Sequence, residues 1–228
     1  MTPEVKICGV TTEATLDLLA ELDVDYVGLV LVRKSPRHVT LQRAQQLADH
    51  ATHLGLKPVA LVCNAPADAA RLIAETLPLH ALQLHGDETP EAVAALHLPG
   101  GVRVWKALPF ARNTADPWRH RPAVRTLLLD APPRDGLTGG TGHAFDWAGL
   151  QHLDRTGLPP LALAGGLNPD NVAEAVRVAR PDLVDVSSGV EQTRGVKDPR
   201  RLRAFVAAAR AVSSASAARE TPPPRTPR

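Results

Sequence analysis

The chain has 228 residues, 44% of them hydrophobic and only 3% aromatic, enough for a sizeable core but one that must be built from Ala, Val and Leu. The formal charge of +2 comes from the last segment, where Arg219, Arg225 and Arg228 face Glu220. Without those four, the 26 basic and 24 acidic residues become 23 of each, a neutral body that argues against a nucleic-acid partner. No run of about 18 apolar residues reads as a membrane span, and the start lacks the charged, apolar and small-residue pattern of a signal peptide; the expected location is cytoplasmic.

In chain order, VKICG (5–9) reads as a first strand, followed by a helix with Leu16, Leu19 and Ala20 on one face. YVGLVL (26–31) leads into a helix with Leu41, Ala44, Leu47 and Ala48, and KPVALV (57–62) into one with Ala69, Leu72 and Ile73. HALQLHG (80–86) precedes Thr89-Pro90, a capping side chain before a proline at the first helical position. VRVWKAL (102–108) is followed by ARNTADPWRHRP (111–122), a weak helix. TLLLDA (126–131) runs into a loop carrying Gly136, Gly139, Gly140 and Gly142. PLALAGG (160–166) precedes a second helix start at Asn168-Pro169, and LVDVSSG (183–189) is the eighth strand.

Strands that are nearly all apolar, rather than alternating, indicate a parallel sheet buried on both faces. Eight strand–helix repeats in one domain point to a (β/α)8 TIM barrel, with a doubly wound open sheet as the alternative from pattern alone. The domain is expected to span residues 1–212. After Val212, SSASAARETPPPRTPR has no apolar face and four prolines, and 213–228 reads as a disordered tail.

In barrel enzymes the loops at the C-terminal strand ends build the active site. Cys8, Arg37, Asn64, His85, Lys106 and Asp130 gather at those ends. The last two strands run into Gly165-Gly166 and Ser187-Ser188-Gly189, where backbone N–H groups can bind phosphate; either glycine site alone reads equally as a strand cap. Cys8 and Cys63 fit no CxxC or zinc spacing and are treated as free thiols, with no metal expected. On residue type alone Cys8 is a small buried strand residue, Arg37 a loop arginine, His85 a hydrogen-bonded structural histidine and Asp130 a surface carboxylate.

KICGVTT, KSPRHV, LQLHGDE, GGTGHAFDW, AGGLNPDNV and VDVSSGVEQTRGVKD, in this order from residue 6 to 198, closely resemble the motifs of the phosphoribosylanthranilate isomerase family. The resemblance implies a TIM barrel and an Amadori rearrangement in tryptophan biosynthesis: N-(5'-phosphoribosyl)anthranilate becomes 1-(2-carboxyphenylamino)-1-deoxyribulose 5-phosphate. It implies one acid, one base and no cofactor, a phosphosugar as the small-molecule partner, and a monomer or homodimer. By the same resemblance Cys8 is the general base and Asp130 the general acid, and Arg37 pairs with the anthranilate carboxylate. His85, Gly140, Gly165, Gly166, Asp185, Ser187, Ser188 and Gly189 complete the expected substrate contacts.

The chemistry asks for a thiol drawn below its reference pKa of about 8.5 and a carboxyl raised above about 3.9. The glycine loop is expected to close over the substrate and shed water. Departures from the family pattern are Leu29 and Leu31 where aromatics are usual, His143 where a lysine is usual, and Cys63, assigned to packing. Two other function classes share parts of this pattern. Another phosphosugar-barrel enzyme would keep the phosphate loops but use paired aspartates or a lysine–glutamate pair; a phosphate-ligand sensor would have no need of both Cys8 and Asp130.

Overall fold

The structure is a computed structural model that describes residues 2–111, 114–130 and 147–217. Eight parallel strands close into a barrel in sequence order: β1 (Glu4–Cys8), β2 (Tyr26–Val30), β3 (Lys57–Val62), β4 (Ala81–Leu84), β5 (Arg103–Pro109), β6 (Val124–Asp130), β7 (Leu161–Leu163) and β8 (Leu183–Val186). Each strand read from the sequence is present within a few residues. The open-sheet alternative is removed by the pairing of β8 with β1, Val5 opposite Val184 and Lys6 opposite Asp185.

The apolar residues divide between two cores because strand side chains alternate. Val5, Ile7, Val27, Leu29, Leu82 and Leu127 face outward and pack under the helices, whereas Val59, Ala81, Trp105, Leu128, Ala162 and Leu183 fill the barrel with Tyr26. This is why the strands carry almost no polar alternation: both faces are buried.

The helices are α1 (Glu13–Glu21), α2 (Leu41–His53), α3 (Ala67–Thr76), α4 (Pro90–Ala94), α5 (Ala148–Gln151), α6 (Val172–Ala179) and α7 (Pro199–Ala217). Thr12, Thr40 and Thr89 cap α1, α2 and α4 by accepting from the amides of Thr15, Arg43 and Ala92. The start expected at Asn168-Pro169 lies earlier than α6, which begins at Val172. Asn168 instead closes a turn, its side-chain oxygen accepting from the amides of Asp170 and Asn171 at 2.8 and 3.1 Å.

The buried line of α3 is Ala70 and Ala74, continued by Leu77, and not Leu72, which is 55% exposed. Both lines have helical spacing, so only the seat of the helix on the barrel chooses between them. The weak helix after β5 is a single 3-10 turn, Asp116–Trp118, whose Trp118 is buried. Helix α7 runs five residues past Val212, to Ala217. Ser213–Ala217 contains neither glycine nor proline, so nothing local ends the helix at the last apolar residue. Residues 218–228 lie outside the described ones, as do Gly136–His143 of the glycine loop. A short hairpin, β9 (Glu191–Thr193) with β10 (Val196–Lys197), follows the 3-10 turn Ser188–Val190 and was absent from the sequence reading.

Candidate active site

Strand alternation sends Lys6 and Cys8 into the barrel, as the Lys6 contact with interior Asp185 shows. Cys8 ends β1 with 6% exposure, opposite Gly28 on β2. A Cβ at Gly28 would lie 2.8 Å from the Cys8 Sγ and 2.9 Å from its Cα, so the glycine makes the room in which the thiol sits. Below it, Lys6 Nζ donates to Asp185 Oδ1 at 3.0 Å in a pair that is almost fully buried. Burial pushes the Cys8 thiol up and Asp185 adds to that, while Lys6 and Lys197 pull it back down; the net direction is up. The thiol therefore does not sit below its ordinary range, as the sequence reading required. Two cations reduce the rise without reversing it.

Arg37 lies across the same strand end: a Cβ on Gly9 would fall 2.4 Å from its Cδ. Its Nε and Nη2 donate to the two oxygens of Glu191 at 2.6 and 2.8 Å. Burial opposes ionisation of Glu191, but Arg37, the Gly195 amide and Lys197 hold its carboxyl down to about 2. Lys197 Nζ donates to Glu191 Oε1 and to the Ser187 carbonyl, both at 3.0 Å, and Ser187 Oγ donates to the Cys8 carbonyl at 3.0 Å. The β9–β10 hairpin thus carries the two charges, Glu191 and Lys197, that tie Arg37 to the backbone beside the thiol. A planar guanidinium keeps a second edge, Nη1 and Nη2, on which another carboxylate can sit.

Asp130 ends β6, three strands from β1 around the barrel, with its side chain 14% exposed. Its Oδ2 is 3.5 Å from His85 Nε2. His85 follows β4, with Nδ1 at 3.3 Å from the amide nitrogen of buried Gln83. With that nitrogen as donor, Nδ1 accepts and the ring proton is on Nε2, directed at Asp130. The second end of the Gln83 amide, Oε1, is buried and without a hydrogen-bond partner among the described residues.

Gly165 and Gly166 hold φ of +80° and +69°, which turns the chain sharply off β7, and the Asn171 amide fixes the Gly166 carbonyl at 2.9 Å. Among the described residues the backbone amides of Gly165, Gly166, Ser188 and Gly189 donate to no carbonyl. Gly189 has a second reason to be glycine: a Cβ there would lie 1.9 Å from the Leu167 carbonyl oxygen, so the loops after β7 and β8 touch backbone to backbone. Gly189→Ala is accordingly expected to destabilise by about 1–3 kcal/mol, a fall in Tm of roughly 2–12 °C for a chain of this size. Thermal unfolding that matches wild type would show that the contact yields without strain.

Not every residue singled out from the sequence joins this group. Lys106 is buried on the outside of β5, where its Nζ donates to Glu88 at 2.9 Å and to the Gly86 carbonyl at 2.6 Å. Glu88 also accepts from the Asn64 and Gly86 amides, so Lys106 and Asn64 brace the loop after β4. Cys63 is exposed, which corrects its assignment to packing. Gly140 and His143 lie outside the described residues. No group of His, Cys, Asp and Glu suited to a metal ion occurs among the described residues.

The family model for N-(5'-phosphoribosyl)anthranilate isomerase matches residues 5–208, from the first strand into the last helix. The chain belongs to the N-(5'-phosphoribosyl)anthranilate isomerase family. A curated relative from Paracoccus denitrificans, named as that isomerase, is 45% identical over 219 residues, covering 92% of this chain and 99% of the relative. The phosphoribosylanthranilate isomerase of Thermotoga maritima superposes with a TM-score of 0.81 at 32% identity, covering 92% of this chain and 99% of that one. A further isomerase structure, solved with reduced 1-(o-carboxyphenylamino)-1-deoxyribulose 5-phosphate, gives 0.78 at 30% identity over 92% of this chain and 99% of its own.

Within this isomerase, sequence reasoning missed the roles of Lys6, Gly28, Glu191 and Lys197. All four stand inside the quoted motifs or next to a candidate in the barrel register. None announces its partner, since Lys6 and Asp185 are 179 residues apart.

Proposed function

We propose that the chain catalyses the isomerisation of N-(5'-phosphoribosyl)anthranilate to 1-(2-carboxyphenylamino)-1-deoxyribulose 5-phosphate, with Asp130 as acid and Cys8 as base. The observation that carries this division of roles is the placement of one thiol and one carboxyl at the ends of β1 and β6, at the same end of the barrel and both turned inward.

Asp130 protonates the furanose ring oxygen, the C1–O bond breaks, and the nitrogen lone pair forms an iminium. Cys8 as thiolate takes the C2 proton, and the electron pair moves into the C1–C2 bond as the iminium becomes an enolamine. Protonation at C1 and loss of the C2 hydroxyl proton then give the ketone, an isomer of the starting compound. His85 steadies the Asp130 carboxylate once its proton has left. The second edge of Arg37 takes the anthranilate carboxylate while Glu191 holds the first. The amides of Gly165, Gly166, Ser188 and Gly189 take the phosphate, and Asp185 fixes Lys6 beneath the thiol. A cytoplasmic location and a monomeric or dimeric state belong to the same reading. No described helix is long and apolar enough to cross a membrane.

The test is to add purified protein to freshly made phosphoribosylanthranilate and follow the loss of its fluorescence. A first-order loss proportional to enzyme is expected, and none would overturn the reading. Inorganic phosphate is expected to compete with substrate. Gly166→Asp should raise KM more than it lowers kcat, because the phosphate is the same in ground and transition states. An unchanged KM would place the phosphate in another loop.

A further inference from the structure

The β9–β10 hairpin meets Arg37 with two charges of its own. Arg37 Nε and Lys197 Nζ both donate to Glu191 Oε1, at 2.6 and 3.0 Å, while Glu191 Oε2 accepts from Arg37 Nη2 at 2.8 Å and from the Gly195 amide at 3.0 Å. Two cations therefore fill one carboxylate. The side chains of Arg37, Glu191 and Lys197 are only 14%, 4% and 3% exposed, so water does little to screen them. Gly195, at φ +89°, brings the hairpin onto the loop after β2: a Cβ there would lie 2.9 Å from the Pro36 carbonyl oxygen.

This leaves one positive charge in excess, and the neighbouring charges do not cancel it. Lys6 and Asp185 balance each other at 3.0 Å, and Asp198, next to Lys197 in the chain, serves the first turn of α7, where it accepts from the Arg200 amide at 2.8 Å. Among the described residues Glu191 is the one carboxylate that pairs with Arg37 or Lys197. Burial draws the Lys197 ammonium below its ordinary range; Glu191 and Cys8 hold it up against that, and Arg37 adds to the fall. A further anion beside Arg37 favours the charged form. Without Lys197 the bidentate Arg37–Glu191 pair would be neutral, and a carboxylate arriving at the second edge of Arg37 would meet the Glu191 charge with nothing to offset it. With Lys197, two cations meet two carboxylates.

We propose that Lys197 is a positioning residue that sets the preference for substrates bearing a carboxylate ortho to the amine: by neutralising Glu191 it leaves the charge of Arg37 to the substrate. Glu191 fixes where the guanidinium stands, and Lys197 supplies the charge that this fixing takes up. Its bond to the Ser187 carbonyl, whose residue's hydroxyl donates to the Cys8 carbonyl, seats the ammonium beside the strand end that carries the base. Lys197 has this part only if the proposed isomerisation holds, with Arg37 at the aryl carboxylate.

The test compares phosphoribosylanthranilate with phosphoribosylaniline, which lacks the carboxylate, each made by condensing the arylamine with ribose 5-phosphate and followed by chromatography of the ketose product. The ratio of kcat/KM between the two cancels any effect common to both, including one on the base. Wild type is expected to favour the carboxylated substrate. Lys197→Gln, which keeps a donor for Glu191 but not the charge, should lower that ratio at least about tenfold, chiefly through KM for phosphoribosylanthranilate. Lys197→Met should do the same, should the glutamine variant fail to fold. Lys197→Gln with Glu191→Gln returns an unshared charge to Arg37, and the ratio should recover to within about threefold of wild type. A side chain needed only for structure would make the double variant worse than the single. An unchanged ratio in Lys197→Gln, or no recovery in the double variant, overturns the proposal. So does a wild type that converts both substrates alike, whereas one that converts neither removes the isomerase reading as well.

Discussion

Cys8→Ser is expected to lower kcat by at least about a hundredfold with KM within a few-fold of wild type, the usual size of a positioned acid–base contribution. Serine keeps the shape of the side chain in the space that Gly28 leaves, but its hydroxyl does not ionise near neutral pH. The wild-type thiol does so only with help, because burial raises its pKa and Lys6 and Lys197 offset part of that rise. A base works deprotonated, so kcat/KM should climb as pH rises through the thiol's raised pKa, and that limb should vanish in Cys8→Ser. Asp130→Asn keeps a polar group beside His85 but removes the proton for the ring oxygen, and a loss of the same order is expected. Cys63→Ser, at an exposed position, should stay near wild type. Near-normal turnover in Cys8→Ser would put the base elsewhere.

Lys6→Met should have the largest effect on stability, roughly 3–5 kcal/mol, because it strands the Asp185 carboxylate inside the barrel. For a chain of this length that is a fall in Tm of about 6–20 °C. The pair need not be a net stabiliser for this to hold: the penalty comes from the charge left behind. Lys6→Met with Asp185→Leu, which removes both charges, should therefore recover much of the loss, and denaturant unfolding of the two singles and the double measures the coupling. Lys6→Met should also raise the thiol pKa further, read from thiolate absorbance, since an ammonium that pulled it down is gone. A change below about 1 kcal/mol, with an unshifted thiol, would show that the Lys6–Asp185 contact carries little energy.

The barrel itself was legible because its signal is local. Each strand is a short apolar run between turn residues, and Thr89-Pro90 marks a helix start by side-chain chemistry that acts over three residues. Closure of the sheet was suggested by the eightfold count and decided by the β8–β1 register. The third helix shows the limit. Ala69, Leu72 and Ile73 have the spacing of a buried face, but Ala70 and Ala74 seat on the barrel with Ile73 packed partly beside them, while Leu72 is left exposed, a choice a helix by itself does not make.

The same division runs through the site. The sequence by itself determined which residue types stand at the strand ends, Cys8, Arg37, His85, Asp130 and the two glycine-bearing turns, because position in a strand–loop repeat is a property of the chain. Only the tertiary structure decided what each of them faces. It set Lys6 under the thiol and against Asp185, gave Arg37 to Glu191, turned Lys106 away to Glu88, and pressed Gly189 onto Leu167. Those pairings join residues up to 179 positions apart. They arise from closing the barrel, where burial makes an unpartnered charge costly and so decides which cation meets which carboxylate.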